Sequence, residues 1–172
     1  MAERPEAQVN LGNLHAALGE TGQAVAAYRT AMELNPAYTP AYVNLADLHR
    51  SRGDEAEAEK VLRQAAAVIP GSGDVHHALG LSLIRQKRTA KAVVELKEAA
   101  TLAPENARYA YVYAVALNST GNTEQAIMVL QGAHNRFPNN PDILNALVAF
   151  HRDKGNQGAA RIYADKLRAI SP

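Results

Sequence analysis

The chain predicts an all-α fold, about ten helices forming five helical hairpins in tandem. Two observations predict it. Pro36, Pro70, Pro104, Pro138 and Pro172 recur every 34 residues, and so do Ala24, Ala58, Ala92, Ala126 and Ala160. Within each repeat the apolar residues follow helical periodicity in two stretches. The repeats run 5–38, 39–72, 73–106, 107–140 and 141–172, and the 172 residues leave no room for a second domain.

Repeat one sets the pattern. Leu11, Leu14 and Leu18 fall on one face of a first helix, and Ala24, Tyr28, Ala31 and Leu34 on one face of a second. Gly19 and Gly22 lie between them, where a tight turn needs a positive φ or a small residue. Pro36 follows the second helix, which a proline cannot continue. Gly12 and Ala24 are small enough to let the two backbones approach closely, and a larger residue would wedge them apart.

Repeat two keeps this order with Tyr42, Leu45, Ala46, Gly53, Ala58, Leu62, Ala65 and Pro70; Thr39-Pro40 opens its first helix. Repeat three opens with the capping stretch Gly71-Ser72-Gly73-Asp74. It departs at Lys87, where the other repeats have Gly19, Gly53, Gly121 and Gly155, so a strained or altered turn is expected there. Repeat four has Tyr113 where its siblings have leucine. Repeat five is the least regular, with Val148 at the small position, Ala164 at the bulky one and Leu167 at an alanine.

This order of small, aromatic and proline positions resembles the tetratricopeptide repeat family from Pro5 to Pro172. The resemblance implies a right-handed superhelical solenoid whose first helices line a concave face that binds extended peptides. By repeat position, the concave set in repeats one and two is polar: Asn10, Asn13, Asn44, Asp47 and Arg50, with Val9 and Val43. In repeats three and four it includes His77, Leu81, Ile84, Tyr111, Val112 and Val115, with Arg108 at the edge. Repeat five offers Asn145, Ala149 and Arg152. Leu81, Tyr111 and Val115 are expected to form an apolar binding patch or to be buried by superhelix curvature.

Asn10-Leu11-Gly12 and Asn44-Leu45-Ala46 resemble the asparagine ladder of O-linked N-acetylglucosamine transferase solenoids. Asn10 and Asn44 are then expected either to bind a peptide backbone or to bridge neighbouring helices. Asn13 and Asn44 also occupy the asparagine places of the family's carboxylate clamp. Its cationic places hold Val9, Asp74 and Ala78 instead, so a terminal carboxylate has nothing to bind it.

The balance of 18 Lys and Arg against 17 Asp and Glu gives a net charge of +1, unlike a basic nucleic-acid groove. No apolar run is long enough for a membrane span and no secretion signal precedes repeat one; the compartment stays open. With no cysteine there are neither disulfides nor thiolate metal sites. His15, His49 and His151 share a repeat position and are expected to be structural, and His134 to be isolated. No phosphate loop, metal motif or nucleophile elbow occurs. No cofactor and no catalysis are expected. Both ends lack a polar capping helix, which suggests a piece of a longer protein.

These features predict a protein–protein interaction module that holds a peptide or partner helix. Two alternatives stand beside it. One is a self-assembling solenoid, a homodimer through uncapped terminal repeats with Ile162, Tyr163 and Leu167 uncovered. The other is the targeting domain of an enzyme whose catalytic part lies elsewhere.

Overall fold

The structure, a computed structural model, describes residues 4–170; Pro172, the last of the recurring prolines, lies outside the described residues. Among the described residues there are ten helices and no strand. First helices begin at Pro5, Thr39, Gly73, Ala107 and Pro141, the positions the repeat predicts. The chain forms two compact units, Met1–Arg88 and Thr89–Pro172.

The first unit contains α1 (Pro5–Ala17), α2 (Thr21–Leu34), α3 (Thr39–Ser51), α4 (Glu55–Val68) and α5 (Gly73–Arg85). Proline in the first turn opens α1 and α3, where its missing N–H costs nothing. The Ser72 hydroxyl accepts from the Val75 N–H and caps α5. α1 pairs with α2 and α3 with α4, while α3 also packs on α2 and α5 on α4. The core holds Ala24, Tyr28, Ala31, Tyr42, Leu45, Leu62, Val75, Leu79 and Leu83.

Glycine earns its place at two kinds of position here. A Cβ on Gly12 would lie 2.5 Å from Tyr28 Cε1 and 2.7 Å from Cδ1, inside the ring's van der Waals surface. The hairpin turns need a left-handed residue, supplied by Gly19 at φ 78° and Gly53 at φ 82°. In the third turn Lys87 takes that conformation itself, at φ 59°. The strain expected from the missing glycine is therefore present. A left-handed non-glycine residue costs about 1–2 kcal/mol, partly offset by the entropy glycine loses on folding. Lys87→Gly should accordingly raise stability by about 0.5–1 kcal/mol. Urea unfolding would register this as a higher midpoint; an unchanged midpoint would mean that the lysine carries a compensating interaction.

The apolar face of α1 is open in this unit. Leu11, Leu14 and Leu18 are 42%, 56% and 64% exposed. The counterparts of Leu11, buried Leu45 and Leu79, lie on α3 and α5, which pack on α2 and α4. Among the described residues no second helix precedes α1, so its apolar face meets none.

A polar seam joins α4 to α5. Ser82, fully buried, donates to a Glu55 carboxylate oxygen at 3.2 Å, and the Arg85 guanidinium donates to the other at 2.8 Å. Glu59, also buried, accepts from Arg63 at 2.8 Å and from Arg88 at 2.5 Å. Burial alone would push the Glu59 pKa up. Hydrogen bonds from Gln86, Arg63 and Arg88 overcome that and hold it below the usual carboxylate range.

The second unit contains α6 (Thr89–Leu102), α7 (Ala107–Ser119), α8 (Thr123–Arg136), α9 (Pro141–Asp153) and α10 (Gln157–Ile170). Asn106 and Asn140 cap α7 and α9 by accepting from the N–H groups of Arg108 and Ile143. Leu96, Leu130, Ile143, Leu144 and Leu147 are fully buried. Tyr163 is not the uncovered residue the sequence suggests. Its ring stacks on His151 at 5.7 Å and meets His134 edge-on at 5.6 Å. Ile162 is 58% exposed, but so are its repeat counterparts Val94 at 66% and Met128 at 63%, so its exposure is not an effect of the last helix.

Candidate functional site

The first unit carries an open pocket of about 390 Å³ between its first helices, lined by Asn13, Ala16, Tyr28, Asn44, Asp47, Leu48 and Ser51. Tyr28 projects from α2 with its ring buried against Gly12, and its hydroxyl donates to Asn13 Oδ1 at 2.7 Å. Asn44 Nδ2 donates to the same oxygen at 2.9 Å. The Asn13 carbonyl is thus doubly used, which fixes the orientation of its amide. Neither Asn13 Nδ2 nor Asn44 Oδ1 has a hydrogen-bond partner among the described residues.

Asn44, Asp47, Leu48 and Ser51 share one face of α3 at helical spacing. Asp47 accepts from Arg50 Nε at 3.0 Å, an exposed pair whose carboxylate stays 58% accessible. Burial raises the Tyr28 pKa, and the negative charge of Asp47 raises it further. The aspartate field therefore reaches the pocket floor.

Of the residues singled out by repeat position, Asn13, Asn44 and Asp47 come together here. Asn10 is exposed on α1 and makes no hydrogen bond through its side chain among the described residues. Asn10 and Asn44 are not bonded to each other; the bonded pair is Asn13 and Asn44, spaced by 31. Asn44 bridges α3 to α1 through its Nδ2 and keeps its Oδ1 unused. On α5, Leu81 is half-buried and His77 is buried at 8% exposure, so His77 is not the open groove residue its repeat position suggests. In the second unit, Arg108 is exposed, Tyr111 half-buried and Val115 39% exposed on α7.

Sequence reasoning missed Tyr28, Ala16, Leu48 and Ser51. A signal existed for Tyr28: its counterparts Leu62, Leu96 and Leu130 carry no hydroxyl. It also missed a cluster in the second unit. Lys166 Nζ donates to His134 Nε2 at 2.8 Å and lies 5.5 Å from the Tyr163 ring centre, so His134 is not isolated. Burial and the Lys166 charge both push the His134 pKa down, as its acceptor role requires. No group of three metal-ligating side chains occurs among the described residues. No helix among them is long and apolar enough to cross a membrane.

A family model described as tetratricopeptide repeat matches residues 15–81 and 83–149. No curated protein sequence matches the chain significantly. Several solved structures are similar. The crystal structure of MamA protein has a TM-score of 0.78 at 18% identity, covering 99% of this chain and 93% of that one. YrrB, described as a TPR protein with an unusual peptide-binding site, has a TM-score of 0.74 at 22% identity, covering 96% and 85%. PilF of Pseudomonas aeruginosa has a TM-score of 0.78 at 24% identity, covering 98% and 77%. At these identities the likeness concerns the fold, an all-α solenoid of helical hairpins.

Proposed function

Because the chain belongs to the tetratricopeptide repeat family, we propose that it is a protein–protein interaction module, not a catalyst, and that it holds an extended peptide against its first helices. One observation carries the reading. Tyr28 and Asn44 lock the Asn13 carbonyl and leave a free amide donor on Asn13 beside a free acceptor on Asn44, at the wall of an open pocket. A donor next to an acceptor matches the N–H and C=O of a peptide backbone. Both are held in place before any ligand arrives, which lowers the ordering cost of binding. YrrB, with its peptide-binding site, offers a parallel on the same fold. In the second unit Tyr111 and Val115, with Arg108 beside them, would receive apolar side chains of a partner; buried His77 would contribute little.

The test is selection of random dodecapeptides on the immobilised chain, followed by affinity measurement of the enriched peptides on an Asn13→Ala/Asn44→Ala variant. Losing two backbone hydrogen bonds should weaken binding about tenfold or more, with the helical circular dichroism unchanged. Equal affinity for a folded variant would remove the site from these residues.

A further inference from the structure

The pocket of the first unit has a chemical bias beyond the backbone contacts, since the Asn44 oxygen has a second lone pair for another donor. Asp47 is the one charged residue that lines it. Asn44 Oδ1 is an acceptor without a donor, and the Ser51 hydroxyl, which spends its proton on the Leu48 carbonyl at 2.8 Å, faces any ligand as an acceptor. Asn44, Asp47 and Ser51 stand at i, i+3 and i+7 on α3, along one wall. Ala16 and the edge of Tyr28 also line the pocket and supply its apolar surface with Leu48.

We propose that this pocket takes a lysine side chain of the bound peptide: the ammonium is held by Asp47, Asn44 and Ser51 while the methylene stem lies on Ala16 and Tyr28. The inference rests on the peptide-binding reading above. An ammonium carries three donors and no acceptor, which suits a wall of three acceptor oxygens. Its stem packs on apolar surface while its head stays polar. The effect of Asp47 on the Tyr28 hydroxyl points the same way, since the carboxylate's field extends to the floor on which the stem would lie. The residue facing Asp47 from its own helix is Arg50, on one carboxylate oxygen. Exposed pairs of this kind are worth about 0.2–1 kcal/mol, so Arg50 competes with an incoming ammonium without excluding it. The pattern is the opposite of a carboxylate clamp: its cationic places hold Val9, Asp74 and Ala78.

The experiment uses three pools of fluorescein-labelled, N-acetylated decapeptides, randomised except for a central Lys, Glu or Leu, and follows anisotropy at low salt. Acetylation removes the terminal amine as a second source of ammonium. The lysine pool should bind most tightly. Asp47→Asn should weaken that pool about tenfold and leave the leucine pool unchanged. Arg50→Ala, which frees the second carboxylate oxygen, should strengthen the lysine pool severalfold. Equal binding of the lysine and glutamate pools, or an Asp47→Asn variant that holds lysine as well as the parent chain does, would overturn the proposal. Should Asn13→Ala/Asn44→Ala weaken every pool while Asp47→Asn weakens none, the groove stands and the lysine specificity falls. Should neither variant affect any pool, both readings fall.

Discussion

Gly12→Ala should lower the stability of the chain by about 1–3 kcal/mol, the usual cost of overpacking a core. The added methyl would sit 2.5 Å from Tyr28 Cε1 and 2.7 Å from Cδ1. Tyr28 is 2% exposed and has little room to retreat. Its ring can yield only by tilting, which would pull the hydroxyl from Asn13 and loosen the pocket wall as well. The chain itself indicates the cure. Hairpins two and four place alanine at this position, Ala46 and Ala114, and leucine at the facing one, Leu62 and Leu130; all four are buried. Gly12→Ala combined with Tyr28→Leu should therefore recover most of the loss, a coupling that a double-mutant cycle reads directly. Urea unfolding of the two single variants and the double variant is the measurement. Additive losses would mean that the two positions do not share one space. The rescued variant should still lack the Asn13 anchor, so its peptide affinity should stay low while its stability returns.

Glu59→Gln should cost about 1–2 kcal/mol at neutral pH. Hydrogen bonds to a charged group contribute about 1.5–3 kcal/mol, and Glu59 accepts from both Arg63 and Arg88. The lower figure reflects those arginines, whose side chains are 48% and 34% exposed and regain water when released. The effect has a pH signature. Burial works to raise the Glu59 pKa, yet the hydrogen bonds leave it below the ordinary 4.5. A depressed folded-state pKa means that the carboxylate's contribution is complete above the ordinary value and is lost as the pH falls through the depressed one. The stability gap between the parent chain and Glu59→Gln should thus be constant from neutral pH down to about 5 and should shrink in more acidic solution. Unfolding midpoints across that range test it, and a gap that widens on acidification would contradict the assignment.

The hairpin architecture was legible because its determinants are local. A proline follows each of the first four second helices, and a glycine supplies each left-handed turn except at Lys87, so a period in the letters is a period in space. The site was only half legible. Equal repeat positions drew attention to Asn10 and Asn44, yet the side chains that meet are Asn13 and Asn44. Between α1 and α3 the bonded partners come from different positions of the repeat. Arg85 on Glu55 and Arg52 on Thr21, separated by 30 and 31 residues, likewise join different repeat positions, each between a second helix and the hairpin that follows it. A period fixes what is equivalent, not what is adjacent. The burial of His77 and the exposure of Leu11, Leu14 and Leu18 were hidden for a related reason: each depends on which helix covers a face, and the letters of one repeat do not say so.

The exchange of bulk between facing positions has a consequence for recombination. Hairpin one pairs Gly12 with Tyr28, while hairpin five has Val148 and Ala164 at the same two places, the large and small partners traded. A crossover within a hairpin that joined the Val148 helix to the Tyr28 helix would set a branched side chain where even a methyl does not fit. The reciprocal product, glycine facing alanine, would leave a hole, and holes in a core are costly. Crossovers between hairpins disturb neither pair. The hairpin, and not the helix, is therefore the smallest piece of this chain that can be shuffled, duplicated or replaced intact.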